Sequence, residues 1–87
     1  MIEISLCMIV KNEEKVLARC LDSVADLVDE IVIVDTGSTD ATKKIAANYT
    51  DKIYDFTWVD DFSAARNFAF SKAEKDYIYT ADADEGM

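Results

Sequence analysis

Apolar runs alternate with amphipathic stretches along the whole chain. Residues 4–10 form a nearly continuous apolar run, which is typical of a strand covered on both faces. Three further segments, at 31–34, 52–56 and 77–81, are rich in β-branched or aromatic residues. The pattern therefore predicts four short strands.

Three helices are predicted between these strands. Asn12 is expected to cap the first helix, whose apolar residues recur at spacings of three and four and so form one stripe. That stripe consists of Val16, Leu17, Cys20, Leu21, Val24, Leu27 and Val28. A second helix follows possible caps at 38–40 and extends to Asn48, and a third begins at Ser63 and ends near Ala73.

Strands that alternate with helices predict an α/β fold, with a Rossmann-like, mostly parallel sheet and right-handed crossovers. Ligands of such sheets bind beyond the carboxyl ends of the strands. Polar clusters follow three of the predicted strands, at 11–13, 35–40 and 82–84. Because a parallel sheet brings these ends to one edge, we expect the three clusters to lie together.

Composition limits the possible partners. The chain has 87 residues, so we expect one small domain, and 18 acidic against 9 basic residues give a net charge of −9. Such a charge argues against nucleic acid and anionic membranes as partners, although a divalent metal would still allow a nucleotide to bind. Cys7 and Cys20 lack metal-ligand spacing and are expected to be buried thiols in a reducing cytoplasm.

The Asp82-Ala83-Asp84 motif directly follows the last predicted strand. If the backbone is still extended there, both carboxylates project to the same side and suit Mg²⁺ or Mn²⁺. An exposed acidic loop is the alternative. The chain has only two glycines, Gly37 and Gly86, so a glycine-rich phosphate loop is excluded and a metal is the available substitute.

Three other polar residues each have two possible roles. Asp35 would either bind a base or ribose, or hydrogen-bond its own turn beside Gly37. Glu13 is either a carboxylate in the first turn of a helix or a ligand. Arg66 is either a planar donor to a base or diphosphate, or a partner in a surface salt bridge.

Taken as a set, these motifs resemble the N-terminal, nucleotide-sugar-binding half of family 2 glycosyltransferases of GT-A fold. The resemblance rests on ISLCMIVKNEE at 4–14, IVDTGSTD at 33–40, DDFSAARN at 60–67 and DADE at 82–85. It covers nearly the whole chain, in order, and is closest to a bacterial branch of the family. It implies a partial GT-A fold with about four strands and three helices.

The resemblance also implies an activity, which is transfer of a sugar from a UDP-sugar donor to an acceptor hydroxyl. Asp35 and Arg66 would contact the uracil, and Asn12 and Glu13 would lie along the uridine. Asp82 would approach the ribose and share with Asp84 the divalent metal, Mg²⁺ or Mn²⁺, on the diphosphate. The acceptor would be a saccharide, a lipid-linked saccharide or a protein.

The family's general base and acceptor site belong to a C-terminal half. Residues 1–87 are therefore expected to be a donor-binding fragment that is inactive alone, self-associates through an uncovered strand edge, and comes from a cytoplasmic or peripheral inner-membrane enzyme. Two alternatives are a phosphatase of the haloacid dehalogenase type and a non-catalytic α/β module that binds a nucleotide or a partner. The phosphatase would need its Asp-x-Asp strand first and Thr or Val in place of Gly86.

Overall fold

The computed structural model describes residues 2–57 and 62–81. Within these residues, strands and helices alternate as the sequence predicts. The strands are β1 (Ile4–Val10), β2 (Glu30–Asp35), β3 (Ile53–Asp55) and β4 (Tyr77–Ala81). The helices are α1 (Leu17–Val24), continued by a 3₁₀ turn (Ala25–Leu27), α2 (Thr42–Ala46) and α3 (Phe62–Lys72).

The four strands form one parallel sheet in the order β3-β2-β1-β4. Val10 of β1 lies opposite Asp35 of β2, and Asp35 lies opposite Asp55 of β3. The carboxyl ends of three strands therefore meet at one level. The predicted α/β class and parallel sheet are confirmed.

Helices cover both faces of the sheet. Leu6, Met8 and Val10 of β1 point to the face covered by α1 and α2, where they are buried with Leu17 and Leu21. A second apolar cluster on the opposite face packs beneath α3 and consists of Cys7, Val32, Val34 and Ala69. This alternation along β1 follows from the two-residue period of a strand and gives a three-layer arrangement.

The predicted start of the first helix is wrong. Asn12 does not cap it, because its backbone is left-handed (φ 53°) and α1 begins only at Leu17. The backbone N–H groups of Glu13 and Glu14 donate to side chains in the segment that follows β2, not to a helix cap. A single turn precedes α1, in which the N–H groups of Val16 and Leu17 donate to the carbonyl of Glu13.

Other helix ends also differ from the predictions. The first helix ends at Val24 and narrows to the 3₁₀ turn, and Val28 is already extended. The second helix is shorter than predicted at both ends, from Thr42 to Ala46. Ser63 lies within α3 instead of capping it. The strands fit better, and β1 and β4 have the predicted bounds.

Glu30 is a buried carboxylate at the amino end of β2. Its Oε1 accepts hydrogen bonds from the Ser5 hydroxyl at 2.5 Å and from the backbone N–H of Glu74 at 2.9 Å. Its Oε2 pairs with the ammonium of Lys52. Burial alone would raise the pKa of Glu30, but the hydrogen bonds, led by the one from Lys52, lower it to about 2.

Acid is expected to destabilise the fold through Glu30. Because its pKa is depressed in the folded state, its contribution is fully present above the ordinary pKa of 4.5 and is lost as the pH falls through about 2. A shift of this size corresponds to about 3 kcal/mol. Urea unfolding of the wild type and Glu30→Gln between pH 7 and pH 2 should show less loss of unfolding free energy in the variant, and Asp26→Asn serves as an exposed control. Equal pH dependence in all three proteins would contradict this role.

A cavity of about 410 Å³ lies at the amino end of the sheet. Its lining includes Asp29, Glu30, Tyr49 and Lys52, and each of these side chains hydrogen-bonds within the protein. Among the described residues, no helix has the length and apolar character needed to cross a membrane.

Candidate functional site

Two loops meet at the carboxyl edge of the sheet. We call residues 11–16, which follow β1, the first rim loop, and residues 36–41, which follow β2, the second rim loop. The backbone N–H of Asn12 donates to Oγ of Ser38 at 2.9 Å, and the backbone N–H of Thr39 donates to Oδ1 of Asn12 at 2.8 Å. Thr36 adds hydrogen bonds from its N–H and its hydroxyl to the carbonyl of Val10. The two loops thus form one hydrogen-bonded frame.

A second set of bonds joins the first rim loop to the start of α2. The N–H of Glu13 donates to the buried hydroxyl of Thr42 at 2.8 Å, and that hydroxyl donates to Oδ1 of Asp40. The other Asp40 oxygen accepts from the N–H of Glu14 at 3.3 Å. Although desolvation opposes it, hydrogen bonds from Thr42 and Glu14 lower the pKa of Asp40. Asp40 therefore holds the start of α2.

Asp35 lies at the end of β2 and is only 2% exposed. Its Oδ1 accepts hydrogen bonds from the backbone N–H groups of Gly37 and Ser38, both at 2.8 Å. Gly37 has a φ of +114°, a conformation that glycine adopts without strain, so the turn depends on it. The turn-forming role of Asp35 is therefore present in the fold.

The second oxygen of Asp35 has a different environment. Oδ2 is buried and has no hydrogen-bond partner among the described residues. A buried acceptor without a partner costs about 1–3 kcal/mol, and such atoms often mark functional sites. Asp35 thus braces its own turn with Oδ1, while Oδ2 retains the capacity to accept a hydrogen bond. The two roles that the sequence left open are compatible.

A lysine lies beside this carboxylate. Lys43 of α2 forms an ion pair with Asp55 at the end of β3, with 2.7 Å between Nζ and Oδ1. The hydrogen bond that the Lys43 ammonium donates to Asp55 is the main cause that raises the pKa of Lys43, and the charge of Asp35 contributes. The edge therefore presents a cation within Coulomb range of Asp35.

The structure describes only part of the predicted site. Asn12, Glu13 and Asp35 lie together at the carboxyl edge, and Arg66 is exposed on α3, which packs against β1 and β2. Asp82 and Asp84 lie outside the described residues, which end at Ala81, opposite Met8 of β1. Within 2–57 and 62–81, no three acidic, histidine or cysteine residues form a metal-binding group.

Sequence reasoning missed Thr42 and Lys43. Thr42 is fully buried and lies in α2, where its hydroxyl links Glu13 to Asp40. The short polar stretch around it carries no periodic signal that would separate a buried Thr from an exposed one. Lys43 reaches the site only because the parallel register brings the end of β3 beside β2.

A three-layer parallel α/β fold with a carboxylate edge is typical of nucleotide-binding domains. The sequence profile of glycosyl transferase family 2 matches residues 5–86. The chain therefore belongs to glycosyl transferase family 2, and the expected family is confirmed.

Two relatives extend the comparison. The chain is 52% identical over 87 residues to a TPR repeat-containing protein of Synechococcus elongatus, covering 100% of this chain and 22% of that protein. It is 38% identical over 85 residues to an uncharacterized glycosyltransferase of Rickettsia typhi, covering 98% of this chain and 29% of the relative. The chain thus spans less than a third of the length of either protein.

A solved structure shares the fold. Glucosyl-3-phosphoglycerate synthase from Mycobacterium tuberculosis, in complex with Mn²⁺ and UDP-glucose, superposes with a TM-score of 0.80 at 23% identity. The match covers 95% of this chain and 33% of the mycobacterial chain. A further structure of the same enzyme holds Mg²⁺ and UDP. The likeness confirms the GT-A, Rossmann-like fold.

Proposed function

We propose that this chain is the donor-binding part of a glycosyltransferase and binds the uridine nucleotide of a UDP-sugar at the carboxyl edge of its sheet. The observation that carries the proposal is the buried, unpartnered Oδ2 of Asp35. Uracil presents an N–H group between two carbonyl groups. A carboxylate oxygen without a partner can accept a hydrogen bond from this N–H. The UDP-glucose bound by the mycobacterial structure supports the choice of nucleotide.

The remaining site residues have distinct proposed roles. Arg66 contacts the uracil, and Asn12 and Glu13 lie along the uridine. Asp82 approaches the ribose and shares a divalent metal with Asp84. Lys43, held by Asp55, offsets the negative charge that accumulates around Asp35.

A divalent metal, Mg²⁺ or Mn²⁺, is part of the proposal. Carboxylate oxygens are the ligands that both ions prefer, and the Asp82-Ala83-Asp84 motif supplies two of them. A bound metal would neutralise charge on the diphosphate of the leaving nucleotide. The metals held by the mycobacterial structures support this part of the proposal.

The complete protein is proposed to transfer the sugar to an acceptor hydroxyl of a saccharide, a lipid-linked saccharide or a protein. Its general base and acceptor site are proposed to lie in further sequence, because this chain spans only 22% and 29% of two relatives and is expected to be inactive alone. The two free cysteines support a cytoplasmic location, with or without peripheral attachment to the inner face of the membrane.

Calorimetric titration with UDP, with and without Mn²⁺, tests the proposal. We expect binding on the order of tens of micromolar to millimolar in Mn²⁺ and clearly weaker binding without it. Binding that is absent in both buffers, with the chain folded, would contradict the proposed function. Metal-independent UDP binding would instead favour a simple nucleotide-binding module.

The Asp84→Asn variant distinguishes metal binding from recognition of the uracil base. The variant should lose the effect of Mn²⁺ on UDP affinity and the paramagnetic relaxation caused by Mn²⁺, because a direct carboxylate ligand loses its charge. Asp35→Ala serves as the matched variant, which should weaken nucleotide binding and keep the relaxation effect. A Mn²⁺ effect that survives in Asp84→Asn would reject this residue as a ligand.

A further inference from the structure

The free oxygen of Asp35 depends on which way its carboxylate is turned. Oδ1 is fixed by the N–H groups of Gly37 and Ser38, at 2.8 Å each, and this leaves Oδ2 without a partner. The backbone N–H groups of Gly37 and Ser38 therefore fix the orientation of the Asp35 carboxylate. Ser38 is itself held by a residue of the first rim loop, Asn12.

Asn12 holds Ser38 and its neighbour at two points. Its backbone N–H donates to Oγ of Ser38 at 2.9 Å. Its side-chain Oδ1 accepts from the N–H of Thr39 at 2.8 Å and from the Thr39 hydroxyl at 3.4 Å. Because a backbone N–H can only donate, the atom that faces Thr39 must be the oxygen of the amide. The amide nitrogen takes no part in these bonds.

The backbone of Asn12 makes both contacts possible. Its φ of 53° is left-handed, which is uncommon for a residue with a side chain and is tolerated best by Asn and Asp after Gly. This conformation turns the N–H toward Ser38 and the side chain toward Thr39. Asn12 is exposed and supplies little packing, so these bonds are its main contribution to the fold.

We infer that Asn12 is a positioning residue that orients the Asp35 carboxylate through Ser38 and Thr39, so that Oδ2 stays available to a donor on the nucleotide. The inference deepens the proposed uridine site and rests on it for the identity of the ligand. Asn12 acts here as an acceptor, so the role does not require it to touch the nucleotide.

Three variants separate positioning from direct contact. Asn12→Gly keeps the left-handed backbone at no steric cost but removes the acceptor oxygen. Asn12→Asp keeps an acceptor oxygen and tolerates the backbone but removes the amide N–H group. Asn48→Asp, at an exposed position after α2, controls for the added negative charge. The probe is uridine, which carries no phosphate and is not repelled by that charge.

Amide hydrogen exchange of Gly37 and Ser38 reports on positioning without any ligand. In Asn12→Gly we expect their exchange to accelerate about fivefold or more and the uridine affinity to fall by a similar factor, with little change in melting temperature. Asn12→Asp should bring both quantities back to within about twofold of wild type, a rescue that a general loss of stability would not allow.

Each outcome decides the matter. Unchanged exchange in Asn12→Gly would overturn the inference, whatever happens to affinity. Loss of affinity in both Asn12→Gly and Asn12→Asp, with normal exchange in the latter, would show that Asn12 contacts the nucleotide through its amide nitrogen. If wild type fails to bind uridine but exchange responds as expected, the positioning role stands and the proposed function fails.

Discussion

Replacing Asp35 with asparagine is expected to weaken uridine binding by roughly 10- to 100-fold and to leave the fold intact. A hydrogen bond to a charged group contributes about 1.5–3 kcal/mol, which corresponds to this loss in affinity. In Asp35→Asn the buried acceptor Oδ2 becomes an N–H₂ group, which cannot accept the hydrogen bond that the proposed site would receive from the N–H of uracil. The substitution therefore acts on the single atom that the proposal depends on.

The same substitution is expected to cost little stability. The amide keeps one oxygen for the N–H groups of Gly37 and Ser38, so the turn after β2 is preserved. It also removes a charge from a position that is 2% exposed, and burying a charge is unfavourable unless it is fully paired. We expect the free energy of unfolding to stay within about 1 kcal/mol of wild type or to rise, as is common where function and stability compete.

Chemical-shift titration with uridine and cytidine would measure both affinity and base preference. Wild type should prefer uridine, because the ring nitrogen that faces the carboxylate carries a hydrogen only in uracil, and Asp35→Asn should reduce that preference. Asp51→Asn is the matched control, with the same change in net charge at the opposite, amino end of the sheet. Equal uridine affinity in wild type and Asp35→Asn would remove the central observation behind the proposed site.

The sequence predicts the framework of this fold well because the strands are encoded locally. The nearly continuous apolar residues of β1 and the apolar centre of β2 require cover on both faces, and the intervening helical stripe specifies the parallel connection. The carboxyl ends of the strands are aligned by their register, which places Asp35 between Val10 and Asp55. The sequence therefore predicts the position of Asp35 at the carboxyl edge, at the end of a buried strand.

The details of the site were less predictable because they depend on contacts between loops. Asparagine is a residue type that commonly caps helices. Hydrogen bonds to Ser38 and Thr39 instead hold Asn12 in a left-handed conformation that no local pattern specifies. No local pattern marks Thr42 as buried, yet its hydroxyl is buried and links Glu13 to Asp40. Such roles arise only when segments about 26 to 29 residues apart come together.

Self-association through β4 is the second large effect that we expect for the 87-residue chain. Tyr77, Ile78 and Tyr79 are 58%, 43% and 53% exposed, although they are consecutive residues of one strand. Successive side chains point to opposite faces, so both faces of β4 are open, whereas the adjacent β1 is almost fully buried. In the described part of the chain, β4 pairs only with β1, and its other edge carries no strand.

An exposed, apolar edge strand is a template for pairing with another chain. We therefore propose that two copies of this chain associate through β4, and that salt strengthens the association by screening the net charge of −9. Proteins that continue beyond this segment would have further residues available to cover the strand. The prediction therefore applies to the 87-residue chain and not to its longer relatives.

Sedimentation equilibrium over a range of protein and salt concentrations would test this association. The average mass of wild type should rise with both variables, and Tyr79→Lys should raise the dissociation constant about tenfold or more, because a lysine on an edge strand opposes pairing. Leu27→Lys is the matched control, since Leu27 is 70% exposed but lies in the 3₁₀ turn before β2 and should not affect association. A wild-type chain that stays monomeric and folded at high concentration in moderate salt would mean that the open faces of β4 are compatible with an isolated domain.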